Sequence, residues 1–141
     1  MSDLEVKKFN EFVLPTNVVS KIDMARLVRE FESVDNALTA MSVREKVGVN
    51  GQEMPPMSPQ LSEFLEKNQV NLEDSGQRSA YVKELRALKK QLPVVNMTFA
   101  VVADPESLQK LVSWVRESIH PQAVIEAHLQ PDLVAGVYLR T

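Results

Sequence analysis

The stretch VVNMTFAVVADPESLQKLVSWVRESIHPQAVIEAHLQPDLVAGVYLRT, residues 94–141, decides the fold. Its middle predicts a helix whose start and stop signals agree. Asp104 stands at the N-cap position, Pro105 takes the first helical position, and Glu106 faces the positive end of the helix dipole. His120 precedes Pro121, and a residue before proline is pushed out of helical geometry. Between these marks Leu108, Leu111, Val112, Val115 and Ile119 recur at steps of three and four, a single stripe meant for a core. Burying one such side chain stabilises by roughly 1.5–3 kcal/mol, against a few tenths for a surface charge pair, so this helix must dock on something.

Working outward, the flanking runs read as strands. Val95, Met97, Phe99 and Val101 share one parity, then Ile125, Ala127 and Leu129, then Leu133, Ala135, Val137 and Leu139, and all three runs present an apolar face. The other parity mixes Asn96, Thr98, Glu126, His128 and Arg140 with Val102, Val134 and Tyr138, a half-polar face covered only in part. Pro131-Asp132 predicts a tight hairpin that makes the last two strands antiparallel neighbours. The helix-containing connection predicts a right-handed crossover if the first two strands run parallel.

Upstream the pattern is helical. Ser20 with Asp23 resembles a capping box, and Met24, Leu27, Val28, Phe31, Val34 and Leu38 keep helical spacing, so a helix runs from about Lys21 to the region of Thr39. The pattern permits either a continuation to Val47 or a break near Asp35-Asn36. Before it, Phe9, Phe12 and Val13 support one short turn that Leu14-Pro15 ends. Residues 48–59, with Gly48, Gly51 and Met54-Pro55-Pro56-Met57, show no periodicity and read as a loop. Ser58-Pro59 opens a short helix carrying Leu61, Phe64 and Leu65. After residues 71–76 comes a longer helix with Tyr81, Leu85, Leu88 and Leu92 on one side and Lys83, Arg86 and Lys90 on the other, ended by Pro93. The expected class is α+β: an N-terminal α-helical domain over residues 1–92, then a small β-α-β-β domain over 93–141.

Composition narrows the function. A chain of 141 residues with 44% hydrophobic content holds one ordinary core or two small ones that lean on each other. It has no Cys, hence no disulfide or thiol chemistry. No apolar run approaches membrane-spanning length, and the polar start Met1-Ser2-Asp3 lacks a signal-peptide core. Net charge is −3, which offers no global basic field for nucleic acid.

Reactive constellations are also missing from the pattern. His120 and His128 are the only two histidines, too few for a zinc site without further ligands, and they read as a helix-end residue and a polar-face strand residue. Gly48, Gly51, Gly76 and Gly136 never form a phosphate-cradling loop, and no nucleophile elbow occurs. Glu30 and Glu32 sit among helix-surface charges. No cofactor or metal is expected, and nothing points to an enzyme. The basic face of Lys83, Arg86, Lys89 and Lys90 reads first as a solvated helix face, and Met54 and Met57 as gap-fillers or adaptable contacts.

The closing phrase Gln130-Pro131-Asp132-Leu133-Val134-Ala135-Gly136-Val137-Tyr138-Leu139-Arg140 resembles a pattern of the delta subunit of F-type ATP synthases, called the oligomycin-sensitivity-conferring protein in mitochondria. In that family Asp-Pro-x-Leu-Ile-Gly-Gly precedes a strand ending in Arg. Gln130 replaces the Asp here and Ala135 the first Gly. The family continues into a further helix that this sequence does not include, which implies a C-terminal domain lacking its last helix, and the first 90 positions do not align with the family's helical bundle. The resemblance implies a non-catalytic peripheral-stalk connector on the cytoplasmic face, bound to the membrane only through the complex. Its helical part would hold N-terminal segments of catalytic-head subunits, and its C-terminal layer the stalk helix.

For such a connector the candidate partner contacts are Leu27 and Phe31, unless they are wholly internal, with Lys83, Arg86, Lys90, Trp114, Val134 and Tyr138. Trp114 reads as half-buried packing or as an interface anchor. Asp104, Pro105, Pro131 and Gly136 read as structural, Gly136 because a mid-strand glycine marks a bulge or close backbone approach. The rival from another class is a free-standing regulatory or ligand-binding α+β module. RNA binding by the sheet is the more distant third, since only Phe99 and Tyr138 offer stacking surfaces.

Overall fold

The computed structural model describes residues 7–49, 53–131 and 137–140. Helices come first and the sheet second, an α+β arrangement. Helix α1 (Lys21–Lys46) is one unbroken helix, so Asp35-Asn36 is no break. Ser20 and Asp23 close a reciprocal capping box at its start. At its end Gly48 adopts φ +90°, while the amides of Gly48 and Val49 bond back to the carbonyls of Glu45 and Arg44. That double return requires a left-handed residue, and glycine takes it without a Cβ clash.

Helix α2 (Pro59–Lys67) is capped by Ser58 and helix α3 (Ser75–Gln91) by Asp74. With α1 they bury one apolar cluster centred on Phe31, Phe64, Leu27, Leu61 and Leu85, onto which the segment before α1 lays Phe12, Leu14 and Val18. Phe12 packs edge-on to Phe64 at 5.3 Å and stacks on Tyr81 at 5.7 Å. Leu27 and Phe31 are therefore wholly internal, and the expectation that they contact a partner is corrected: their stripe is used up by α2 and α3.

Strand β1 (Val94–Phe99) follows after Leu92-Pro93, then helix α4 (Pro105–Ser118), strand β2 (Val124–Leu129) and strand β3 (Val137–Arg140). The sheet order is β2-β1-β3, with β2 parallel and β3 antiparallel to β1. The expected β2–β3 hairpin is thus overturned. Phe99 lies opposite both Leu129 and Val137, so the chain from Leu129 to Val137 only has to pass one strand, a span of roughly 10 Å. Placing β1 in the centre gives its buried residues Met97 and Phe99 a neighbour on each side, while Val95 pairs with Ile125 of β2. Leu133, Val134, Ala135 and Gly136 lie outside the described residues, as does Asp132.

A second apolar cluster joins Val95, Met97, Phe99, Val112, Val115, Ala123 and Ile125. Two details of the expected stripes fail. Ile119 is 44% exposed, because α4 ends at Ser118 and Ile119 is already its C-cap. In β2, Val124 and Ile125 are both buried while everything from Glu126 to Leu129 is exposed, since cover on this strand is confined to its first two residues.

Two stability measurements follow from this packing. Val115 is fully buried between α4 and the sheet, so Val115→Asp strands a carboxylate there and should cost on the order of 4 kcal/mol in urea unfolding; a melt within a degree or two of the unsubstituted chain would contradict helix-on-sheet packing. Gln69 follows α2 at φ 56°, with its side chain exposed and the Val70 amide returned to the Leu65 carbonyl. Gln69→Gly relieves the left-handed strain and should stabilise by about 1 kcal/mol, read as a higher urea midpoint at unchanged slope.

Candidate functional site

The sheet half leaves apolar surface open. Val101 and Val102, just past β1, are 73% and 81% exposed, and Leu129, at the end of β2, is 54% exposed. They line a shallow depression with Phe99, Ala103, Leu108 and Ala127. Leu108 and Ala127 also line a groove of about 480 Å³ whose other walls are Val19, Ile22 and Ile125 with Ser20, Lys21 and Glu126, so the two concavities adjoin as a channel along β2 that is apolar with polar members at its walls. Alternate backbone amides of β2 face the free edge of the sheet. The amides of Val124 and Gln130 point inward to the carbonyls of Pro93 and Phe99, whereas that of Ile125 points outward to the Val19 carbonyl. Ala127 and Leu129 share the outward direction, on the free edge of the sheet.

The helical half has its own open apolar surface. The last turns of α1 expose Val43 (57%) and Val47 (76%), while Met54 borders a concavity that Leu38, Met41 and Leu72 share with the polar Ser42, Glu45, Glu73 and Arg78. Among the basic candidates, Lys83, Lys89 and Lys90 are exposed, but Arg86 is committed to Glu32, Nε to Oε1 at 2.7 Å. The hydrogen bond from Arg86 holds the Glu32 carboxyl below its ordinary range and raises Arg86. A depressed carboxylate pKa stabilises the fold above its unfolded value and fades as pH falls through the folded one, so this pair works at neutral pH. Trp114 is 49% exposed on α4 and remains a candidate anchor. Tyr138 lies in β3 opposite Thr98, and Pro131 is exposed.

Asp104 is the N-cap of α4 in extended geometry without closing a side-chain cap bond; the Ser107 hydroxyl beside it still holds its carboxyl below the usual range. Pro105 opens the helix at the expected position.

The decisive polar residues are ones that pattern reading passed over. Arg116 is partly buried, and its guanidinium donates to three backbone carbonyls: Nε to Ala123 at 3.0 Å, Nη1 to Pro15 at 2.8 Å, and Nη2 to Val18. Burial without a paired carboxylate among the described residues pushes its pKa down to about 10, still fully protonated at neutral pH. The Gln122 amide, also buried, donates to the carbonyls of Phe9 at 2.6 Å and Phe12 at 3.0 Å. Asn68, fully buried, exchanges both amide positions with the backbone of Val13 and also bonds the Phe64 carbonyl. Arg78 fixes α3 to α1 through Asp35 at 2.8 Å and Thr39 at 3.3 Å.

The histidines serve locally. Nδ1 of His120 accepts from the Gln122 amide at 3.0 Å, and Nε2 of His128 lies 3.2 Å from Asn96 Oδ1. Among the described residues no three His, Asp or Glu side chains gather where a metal ion could be held, and no helix is long and apolar enough to cross a membrane. What the arrangement offers chemically is surface: a largely apolar channel on one half, exposed apolar side chains on the other, and a polar seam between them. No family model matches the chain, and no curated protein matches it in sequence.

Proposed function

We propose that this chain is a non-catalytic connector in the stator of a proton-translocating F-type ATP synthase, holding the catalytic head to the peripheral stalk. The reading is supported by the resemblance of residues 130–140 to the delta-subunit pattern. The observation that carries it is the open apolar surface of Val101, Val102 and Leu129, continuous with the groove along β2. Contiguous exposed apolar surface marks a contact with another protein, because leaving it in water forfeits the burial that stabilises an interface. In this reading an amphipathic stalk helix lies in the channel, with Trp114 as a candidate anchor at its rim, and N-terminal segments of head subunits take the exposed Val43, Val47 and Met54. A connector needs such faces and no reactive group: it resists rotation of the head by holding two partners at once. It would work on the cytoplasmic side, reaching the membrane only through the complex.

One observation favours a second reading. The groove of about 480 Å³ lies within the size range of small-molecule pockets and is mostly apolar, as such pockets are. A regulatory or ligand-binding module would use it for an apolar effector. Genomic neighbours encoding other synthase subunits would favour the connector.

Calorimetric titration of the folded chain with an amphipathic stalk-helix peptide tests the proposal. Binding is expected, with no ATP hydrolysis by the chain. Because Val102 and Leu129 are exposed, Val102→Glu with Leu129→Glu should leave the melting temperature unchanged yet weaken binding tenfold or more, about 1.4 kcal/mol. Lys83→Ala with Lys90→Ala should mainly alter the salt dependence of head-peptide binding. No binding to either peptide at low salt would put the ligand-binding module ahead.

A further inference from the structure

The two apolar clusters are joined by a seam of a different chemistry from either. Leu92 packs against the helical cluster, while the Pro93 carbonyl already accepts from Val124 inside the sheet. One link, Leu92-Pro93, therefore carries the chain from one half to the other. Among the described residues the halves are further attached where the start of α1 lies against β2 and through the strap of residues 9–20, whose Phe12, Leu14 and Val18 belong to the helical cluster. Its backbone carbonyls face the sheet half, where Gln122 takes those of Phe9 and Phe12, Arg116 those of Pro15 and Val18, and the Ile125 amide that of Val19 at 2.7 Å. Apolar traffic across the seam is slight: Val19 is the one strap residue packed on the second cluster.

We propose that the strap and its clasp, Arg116 with Gln122, form a latch. Closed, it makes the helical core and the sheet layer one unit; open, each half keeps its own core and the chain hinges at Leu92-Pro93. The balance of groups favours such an opening over general unfolding. The strap and the sheet half are tied by a run of hydrogen bonds, and the carbonyls and amides freed by parting them are hydrated at once. The guanidinium gains most, since it sits largely desolvated on neutral carbonyls with no carboxylate among the described residues to compensate it. Conversely, Arg116 is what closes the latch with a fixed geometry, because its planar fork meets the strap carbonyls and Ala123 together. Arg116 and Gln122 are positioning residues: they set the angle between the two surfaces described above. The inference stands on the seam alone and holds whichever partner those surfaces take.

Two adjacent amides in β2 report the latch separately from the sheet. The Val124 amide bonds within the sheet to Pro93, and the Ile125 amide bonds across the seam to Val19. In native-state hydrogen exchange of the unsubstituted chain, Ile125 should exchange at least tenfold faster than Val124. Equal protection of the two would overturn the proposal, since the seam would then open only when the sheet melts. Arg116→Met, which keeps the stem and removes the charge, should speed Ile125 a further tenfold or more while Val124 moves much less. Gln122→Ala should do the same more weakly, and it carries the test if Arg116→Met does not fold. A general loss of stability would speed both amides together and would count against the latch.

Discussion

The carbonyls of residues 9–20 are the constraint on which the architecture turns. This strap belongs to no sheet and, apart from the 3-10 turn Phe9–Glu11, to no helix, so its backbone polar groups must find partners elsewhere or remain unmet in a buried place. Six of its carbonyls find partners in other elements. Asn68 at the end of α2 takes Val13, Gln122 before β2 takes Phe9 and Phe12, Arg116 of α4 takes Pro15 and Val18, and β2 itself takes Val19. Because α1 starts at Ser20, directly after the strap, its direction follows from the same bonds. Cover on β2 ends where the strap leaves it, which is why Ala127 and Leu129 stand open while Ile125 does not.

How much of this was legible depended on whether an interaction is local in sequence. Capping boxes, proline starts and apolar spacing act within a turn or two, and they located the starts of α1, α2 and α4 and the positions of α3 and the first two strands; the end of α1 at Lys46, beyond Thr39, and the end of β1 at Phe99, short of Val101, they did not fix. Strand order is not local: Pro131-Asp132 suggested a hairpin, but β3 pairs with β1, a strand about forty residues earlier, rather than with β2. Nor can spacing say what a stripe faces. Leu27 and Phe31 have the spacing of a docking face and are the docking face of this chain's own helices.

The polar residues that fix the fold did leave a trace, and it was the same trace each time. Asn68 falls on the stripe of Leu61, Phe64 and Leu65; Arg78 on that of Tyr81, Val82 and Leu85; Arg116 on that of Val112 and Val115. A polar side chain at an apolar stripe position is carried inside by its neighbours and must be satisfied there, so it marks where a helix meets backbone rather than side chains. Gln122 had no such signal, because it lies in a turn where periodicity says nothing.

Chemistry inside and outside the molecule is thus partly inverted: the seam between halves is polar, while apolar side chains such as Val101, Val102 and Val47 face solvent. An apolar seam would have held the halves together at least as firmly, since a buried charge is rarely the more stable choice. It would, however, have been non-directional, because apolar burial depends on area and tolerates sliding and rotation. A guanidinium fork on carbonyls spaced along one strap tolerates neither, for its bonds weaken steeply as their angles depart from linear. Under the proposed connector role, which needs two docking surfaces at a set angle, that directionality offsets what is lost in burial. In the proposed latch the same hydrogen bonds give rigidity when closed and separability when open.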